Sequence, residues 1–261
     1  MQTKSVMMNA IKITHAGTVA RVTLNRPDAR NALDDPMCDT LRNAFPTLAA
    51  DPAIRVVLVD AIGPVFCAGA DLKERHGRDE AWVRQRRLTG NAAYAAIEAC
   101  GKPVIAIAQG PLIGAGAELA LACDFIVAST AASFRFPELQ WNSVGATQRL
   151  QRAIGKRRAK ELLFTGRSMP AEEAYGLGLI ARLTAPDTLQ AVADEVAAAI
   201  AKAPPLAIQL TKQSIDLGDE TTLHNGLRIE FAAIERVLAD RGWRGAVEGF
   251  GAAAASHGDA P

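Results

Sequence analysis

Three short, uninterrupted apolar runs constrain this chain more than any other feature: Val56-Val57-Leu58-Val59, Val104-Ile105-Ala106-Ile107-Ala108 and Phe125-Ile126-Val127-Ala128. None alternates with polar residues, so each suits a strand covered on both faces rather than one half open to water. Helical patterns lie between them, at about residues 80 to 99 and 115 to 123. The order strand, helix, strand, helix, strand is that of an α/β core with parallel strands.

Upstream, Ile11 and Ile13, a turn at His15-Ala16-Gly17-Thr18, and then Ala20, Val22 and Leu24 alternate as a hairpin does. Asn25-Arg26-Pro27-Asp28 ends it. A helix is expected over Asp35–Ala50, with Met37, Leu41, Ala44, Phe45 and Leu48 on its inner face and Pro46 as a place to kink or divide. From residue 150 the pattern is almost wholly helical, with segments near 156 to 164, 171 to 177, 187 to 202, 204 to 217 and 221 to 239. The chain is divided as a core, 1–198, and a helical region, 199–261, whose Ala- and Gly-rich end from Gly249 to Pro261 is expected to fray.

The 29 basic and 28 acidic residues are interspersed, which leaves no electrostatic footprint for nucleic acid. Cys38, Cys67, Cys100 and Cys123 are far apart, as reduced structural thiols of a cytoplasmic protein would be. His15, His76, His224 and His257 lack a second ligand at helical or loop spacing, so no metal site is expected. Met1 to Ala10 has no apolar leader, and no stretch approaches the length of a membrane span. The expected partner is therefore a small molecule in the cytoplasm, not a membrane.

Two Gly-containing loops follow buried strands. They are Phe66-Cys67-Ala68-Gly69-Ala70-Asp71-Leu72 and Gly110-Pro111-Leu112-Ile113-Gly114-Ala115-Gly116-Ala117-Glu118. Small residues let backbone N–H groups approach a ligand, and the second loop opens a helix whose first amides lack partners. Together they can form an oxyanion hole; either alone is as well explained by tight turns. The Gly114-x-Gly116 pair lacks the third glycine of a dinucleotide loop, and Glu118 would repel a pyrophosphate. Glu118 has only apolar helix neighbours, and Glu138 follows Phe134-Arg135-Phe136-Pro137, so both carboxyls are poorly solvated. Each could instead be one half of a buried ion pair, Glu138 with Arg135 or Arg149.

Taken together the blocks resemble the enoyl-CoA hydratase/isomerase (crotonase) family. They run from Leu24-Asn25-Arg26-Pro27-Asp28-Ala29-Arg30-Asn31-Ala32-Leu33 through Phe66 to Lys73 and Lys102-Pro103-Val104-Ile105-Ala106 to Gly114 through Asp124. Phe136-Pro137-Glu138-Leu139, Thr147-Gln148-Arg149-Leu150 and Leu163-Phe164-Thr165-Gly166 follow. The resemblance implies a spiral of ββα turns with a C-terminal helical region that builds homotrimers or hexamers. It implies an acyl-CoA substrate and no metal or redox cofactor, coenzyme A being part of the substrate. The oxyanion donors carried over are the backbone N–H groups of Ala70 and Ala115. Glu118 would activate water and Glu138 would protonate the α-carbon, making the expected reaction hydration of a 2-enoyl-CoA. CoA would lie along Arg26 to Asn31 and the loop Ala68, Asp71, Leu72 and Lys73, with Arg30 and Lys73 near its phosphates.

Two departures stand against the pattern. The segment from Leu139 to Ala146 has one glycine and no proline where the family has several glycines, with Gly145 the candidate for holding the catalytic water. The end from Gly249 lacks the usual basic cluster. These leave room for double-bond isomerisation, thioester hydrolysis or a non-catalytic CoA-binding scaffold as alternatives.

Overall fold

The computed structural model describes residues 10–240 and 242–243. The readings of the first residues and of the end from Gly249 to Pro261 lie outside the described residues. The chain divides into two compact units between Lys202 and Ala203, four residues beyond the 198/199 division drawn from sequence.

The first unit begins with a hairpin, β1 (Ile11–Ala16) and β2 (Val19–Leu24), followed by α1 (Asp35–Ala50). The Asp34 side chain caps α1 by accepting from Met37 N, and the helix runs unbroken through exposed Pro46. β3 (Val56–Ala61) leads to α2 (Glu80–Glu98), capped in turn by Asp79. The next two turns repeat one pattern: β4 (Val104–Ala108), β5 (Leu112–Ile113) and α3 (Ala115–Leu121), then β6 (Phe125–Ser129), β7 (Ser133–Arg135) and α4 (Thr147–Ile154).

Each repeat gives one strand to either of two sheets. β1, β2, β3, β4 and β6 form the larger sheet in that order, antiparallel at the hairpin and parallel beyond it. β5 and β7 form a small second sheet, completed by β8 (Ser168–Pro170), and the larger sheet ends on β9 (Arg182–Thr184). In the turn from β3 to α2 a bridge between Cys67 and Leu112 takes the place of the second strand. The remaining helices are α5 (Lys156–Thr165), α6 (Ala171–Gly176) and α7 (Leu189–Ala201). The two- and three-residue strands and α4 are absent from the sequence reading.

The apolar runs are buried on both faces, as expected. Val57, Val59, Val104 and Ala106 pack with Leu41 and Phe45 of α1 and Ile97 of α2. Their neighbours Val56, Leu58, Ile105 and Ile107 point the other way, onto Leu189, Ala193 and Val196 of α7. This is the period-two alternation of a pleated strand, and each fully buried aliphatic contributes about 1.5 to 3 kcal/mol. All four cysteines are buried and unbridged. Burial pushes the Cys67 thiol up to about 12, and its Sγ donates to Asn31 O.

The second unit holds α8 (Pro205–Asp219) and α9 (Leu223–Asp240), packed on each other. Ile215, Leu223 and Phe231 are exposed on this pair. No helix among the described residues is long and apolar enough to cross a membrane.

Candidate active site

The two glycine-bearing loops are joined by backbone hydrogen bonds. Ile113 N donates to Cys67 O at 3.0 Å and Cys67 N to Pro111 O at 3.3 Å. On the first loop, Leu33 N donates to Gly69 O and Asp71 N to Leu33 O, each at 2.8 Å. This ladder passes over the intervening amide of Ala70. Gly69 has φ +96°, and a Cβ on it would stand 2.8 Å from Ile113 O and 3.6 Å from Ala115 N, so glycine alone lets the loops approach. Ala115 N is the first amide of α3 and has no acceptor within the helix. Ala70 and Ala115 line one cavity. The amide pair expected from the sequence is therefore brought together. Tyr94 of α2, buried, donates to Ala115 O at 3.0 Å and fixes that corner.

Both glutamates line the same cavity, in opposite environments. Glu118 Oε1 is paired with Arg149 at 2.9 Å, and its Oε2 accepts from Ala146 N at 3.3 Å. Arg149 also forks onto both oxygens of Glu98, at 2.6 and 2.9 Å, and lies over the Tyr94 ring. Its planar, five-donor group suits this role, which a lysine could not fill.

Glu138 begins a 3-10 turn, Glu138–Trp141, held by Ser143 N donating to Glu138 O at 3.0 Å. Its Oε2 is buried and has no hydrogen-bond partner among the described residues. Burial raises its pKa above the ordinary carboxylate range, and the neighbouring Glu118 charge adds to the rise, while Arg87 opposes it. The shift favours the protonated form more than in an exposed carboxyl. Gly114 has φ +50°, which favours glycine, and a Cβ on it would come 2.7 Å from Glu138 Oε1 and push that carboxyl aside.

The ion pairs suggested for Glu138 are absent. Arg149 goes to Glu118, and Arg135 donates to Gly166 O and Gln140 Oε1, both at 2.9 Å. The short loop after Glu138 is nevertheless ordered around both carboxyls. Arg87 donates to Ser143 Oγ and to Val144 O, and Gly145 packs against the Glu138 side chain. The loop amide that reaches a glutamate is that of Ala146, one residue beyond Gly145.

Among the residues expected to hold CoA, Ala68 and Leu72 line the cavity. Arg26 is engaged inside the protein: it pairs with Asp34 at 2.8 Å and Asp71 at 3.1 Å, and donates to Ala32 O at 2.7 Å. Asp71 also accepts from Lys73 N, capping the turn that follows the Ala70 amide. Arg30 and Lys73 are exposed and outside the cavity wall. Trp141 lines the cavity, whereas Phe164, in the block Leu163-Phe164-Thr165-Gly166, is 70% exposed and does not. The sequence reading assigned the shape of the pocket to residues 75 to 99 as a stretch, and Arg75, Arg86, Arg87 and Tyr94 are members of that stretch that line the cavity. Their only signal is spacing, since Arg86, Gly90 and Tyr94 repeat at helical intervals on one face of α2.

A family model described as enoyl-CoA hydratase/isomerase matches residues 14–251. The chain is 36% identical over 244 residues to the enoyl-CoA isomerase/hydratase fer4 of Mycosarcoma maydis, covering 89% of each chain. It resembles the crystal structure of an enoyl-CoA hydratase from Bacillus anthracis with a TM-score of 0.90 and 35% identity, over 93% of this chain and 96% of that one. A Thermobifida fusca structure solved in complex with CoA matches with a TM-score of 0.83 and 30% identity, over 88% and 93% of the two chains.

Proposed function

The chain belongs to the enoyl-CoA hydratase/isomerase family, and from that premise we propose that it hydrates a 2-enoyl-CoA thioester to the 3-hydroxyacyl-CoA. The observation that carries the proposal is the unequal pair of carboxyls. Glu118 is paired with Arg149 and suited to accept a proton; Glu138 is buried, unpartnered and suited to deliver one.

In this reading the thioester oxygen accepts from Ala70 N–H and Ala115 N–H. Glu118 removes a proton from water as the oxygen forms a bond to the β-carbon. The π electrons move toward the thioester, whose oxygen gains enolate charge between the two amides. Glu138 then gives its proton to the α-carbon. Water has been added in full, and the proton taken by Glu118 returns to Glu138 through solvent or the carboxyl pair. Oxidation and reduction balance within the product, so the step calls for no electron acceptor.

CoA is assigned to the rim beside Ala68 and Leu72, with exposed Arg30 and Lys73 within the same segments. The exposed apolar side chains of α8 and α9 are read as the surface a homotrimer, or a dimer of trimers, would cover. The test is product analysis on a panel of 2-enoyl-CoA thioesters. Formation of 3-hydroxyacyl-CoA supports the proposal; a shifted double bond or free CoA as the product supports isomerase or thioesterase chemistry instead. CoA binding without turnover of any thioester would indicate a scaffold.

A further inference from the structure

The cavity wall carries five charged side chains: Arg75, Arg86, Arg87, Glu118 and Glu138. Two have charged partners just outside the wall. Arg86 is paired with Glu74 at 3.0 Å and donates to Leu33 O at 2.6 Å, supporting the residue that brackets the Ala70 amide. Glu118 has Arg149, and Glu138 is held toward its neutral form. Arg87 spends its donors on Ser143 Oγ and Val144 O, both uncharged. Arg75 makes no side-chain hydrogen bond or ion pair among the described residues, although it is half-buried.

A half-buried guanidinium without an anion is costly, because water is partly removed and nothing replaces it. Burial, followed by the nearby charges of Arg87 and Arg86, lowers the Arg75 pKa, which agrees with an uncompensated cation. The uncharged part of this wall is largely apolar, with Leu33, Leu72, Ile113, Trp141 and Val144, and carries polar groups on Asn91, Tyr94 and Ser143. A plain hydrocarbon chain would fill that space while leaving Arg75 unsatisfied. A carboxylate would complete it through a two-pronged, charge-assisted contact.

We infer that the acyl group of the substrate ends in, or carries, a carboxylate, and that Arg75 receives it, making Arg75 a specificity-determining residue and the substrate a carboxylated 2-enoyl-CoA. Arg75 lies five residues beyond Ala70, at the end of the turn Leu72–Arg75, so the oxyanion donor and the proposed carboxylate receptor belong to one short segment. Arg87 adds a second positive charge on the facing helix. This inference deepens the hydratase reading of the same cavity and rests on it for the position of the double bond.

The experiment is calorimetric binding of glutaryl-CoA, pentanoyl-CoA and free CoA to the native chain, Arg75→Gln and Arg75→Lys. Glutaryl and pentanoyl groups have equal length and differ in the terminal carboxylate. The native chain should bind glutaryl-CoA roughly 10- to 100-fold more tightly than pentanoyl-CoA. Arg75→Gln should abolish that ratio without weakening free CoA, and Arg75→Lys should keep part of it. A native preference for pentanoyl-CoA, or no preference, overturns the inference. So does an equal loss of free CoA and glutaryl-CoA in Arg75→Gln, since the arginine would then serve the CoA phosphates. Binding is read without turnover, so failure of hydration would count against the hydratase proposal and leave this result interpretable.

Discussion

Arg149 NH1 lies 2.9 Å from Glu118 Oε1, and the same guanidinium forks onto Glu98. One side chain thus ties a cavity glutamate to α2 and α4 at once. If Glu118 activates water as proposed, replacing Arg149 by Gln should release its carboxylate and lower kcat by roughly 10- to 100-fold. Lysine should restore little, because a point charge cannot reproduce the fork. Steady-state kinetics of Arg149→Gln and Arg149→Lys check this, with circular dichroism to show that the fold is kept.

Glu138 supplies a pH prediction whose sign follows from its burial. Its pKa is raised in the folded chain, so the protonated form is the one folding favours. Stability from this group is present below the ordinary carboxyl pKa and is lost as pH rises through the raised value. Glu138→Gln, neutral at every pH, should therefore gain more in Tm over the native chain at pH 8 than at pH 4. The same proton is the one proposed for the α-carbon, so native kcat/KM should fall on the alkaline side. That limb should be missing from the residual activity of Glu138→Gln. Thermal melts and pH profiles of both proteins read the two effects.

The buried strands and the two glycine-bearing loops were legible because each depends on local pattern, whereas the choice of Ala70 and Ala115 and the roles of the glutamates came from the resemblance. A strand covered on both faces is a run of Val, Ile and Leu, as at Val56 to Val59, and α1 carries its own stop and start in Asp34 and Asp51. The two-residue β5 and three-residue β7, β8 and β9 carry too few residues to show a period. The choice of Arg149 for Glu118 rather than Glu138 is decided by how α4 sits against α3, which no local pattern encodes. Arg75 and Arg87 look like solvated charge in the sequence and become part of the cavity only when the turn after Ala70 meets α2.

Gly114 leaves the Glu138 carboxyl room that a side chain would take. Gly114→Ala would put a Cβ 2.7 Å from Oε1 and force a left-handed residue to carry it. The backbone part of this costs about 1 to 2 kcal/mol. The displaced carboxyl should lower kcat by about 100-fold, with KM changed far less. Gly145→Ala, whose Cβ would meet Glu138 Cγ at 3.0 Å, should show a smaller version of the same loss.

The oxyanion role of Ala115 can be examined without altering a polar side chain. As the first residue of α3 it occupies the position where a helix tolerates proline, whose missing N–H was not bonded within the helix. Ala115→Pro should leave a folded chain with kcat lower by about 10²- to 10³-fold, the effect of losing one oxyanion donor.

The central claim is that Glu118 and Glu138 act together to add water across an enoyl thioester. Its most direct test is the rate of 3-hydroxyacyl-CoA formation from a 2-enoyl-CoA in ¹⁸O-labelled water, for the native chain and for Glu118→Gln and Glu138→Gln. The native chain should place the label at the β-carbon, and each variant should be slower by roughly 10²- to 10⁴-fold with acyl-CoA binding retained. Absence of labelled product from the native chain, or full activity in either variant, would contradict it.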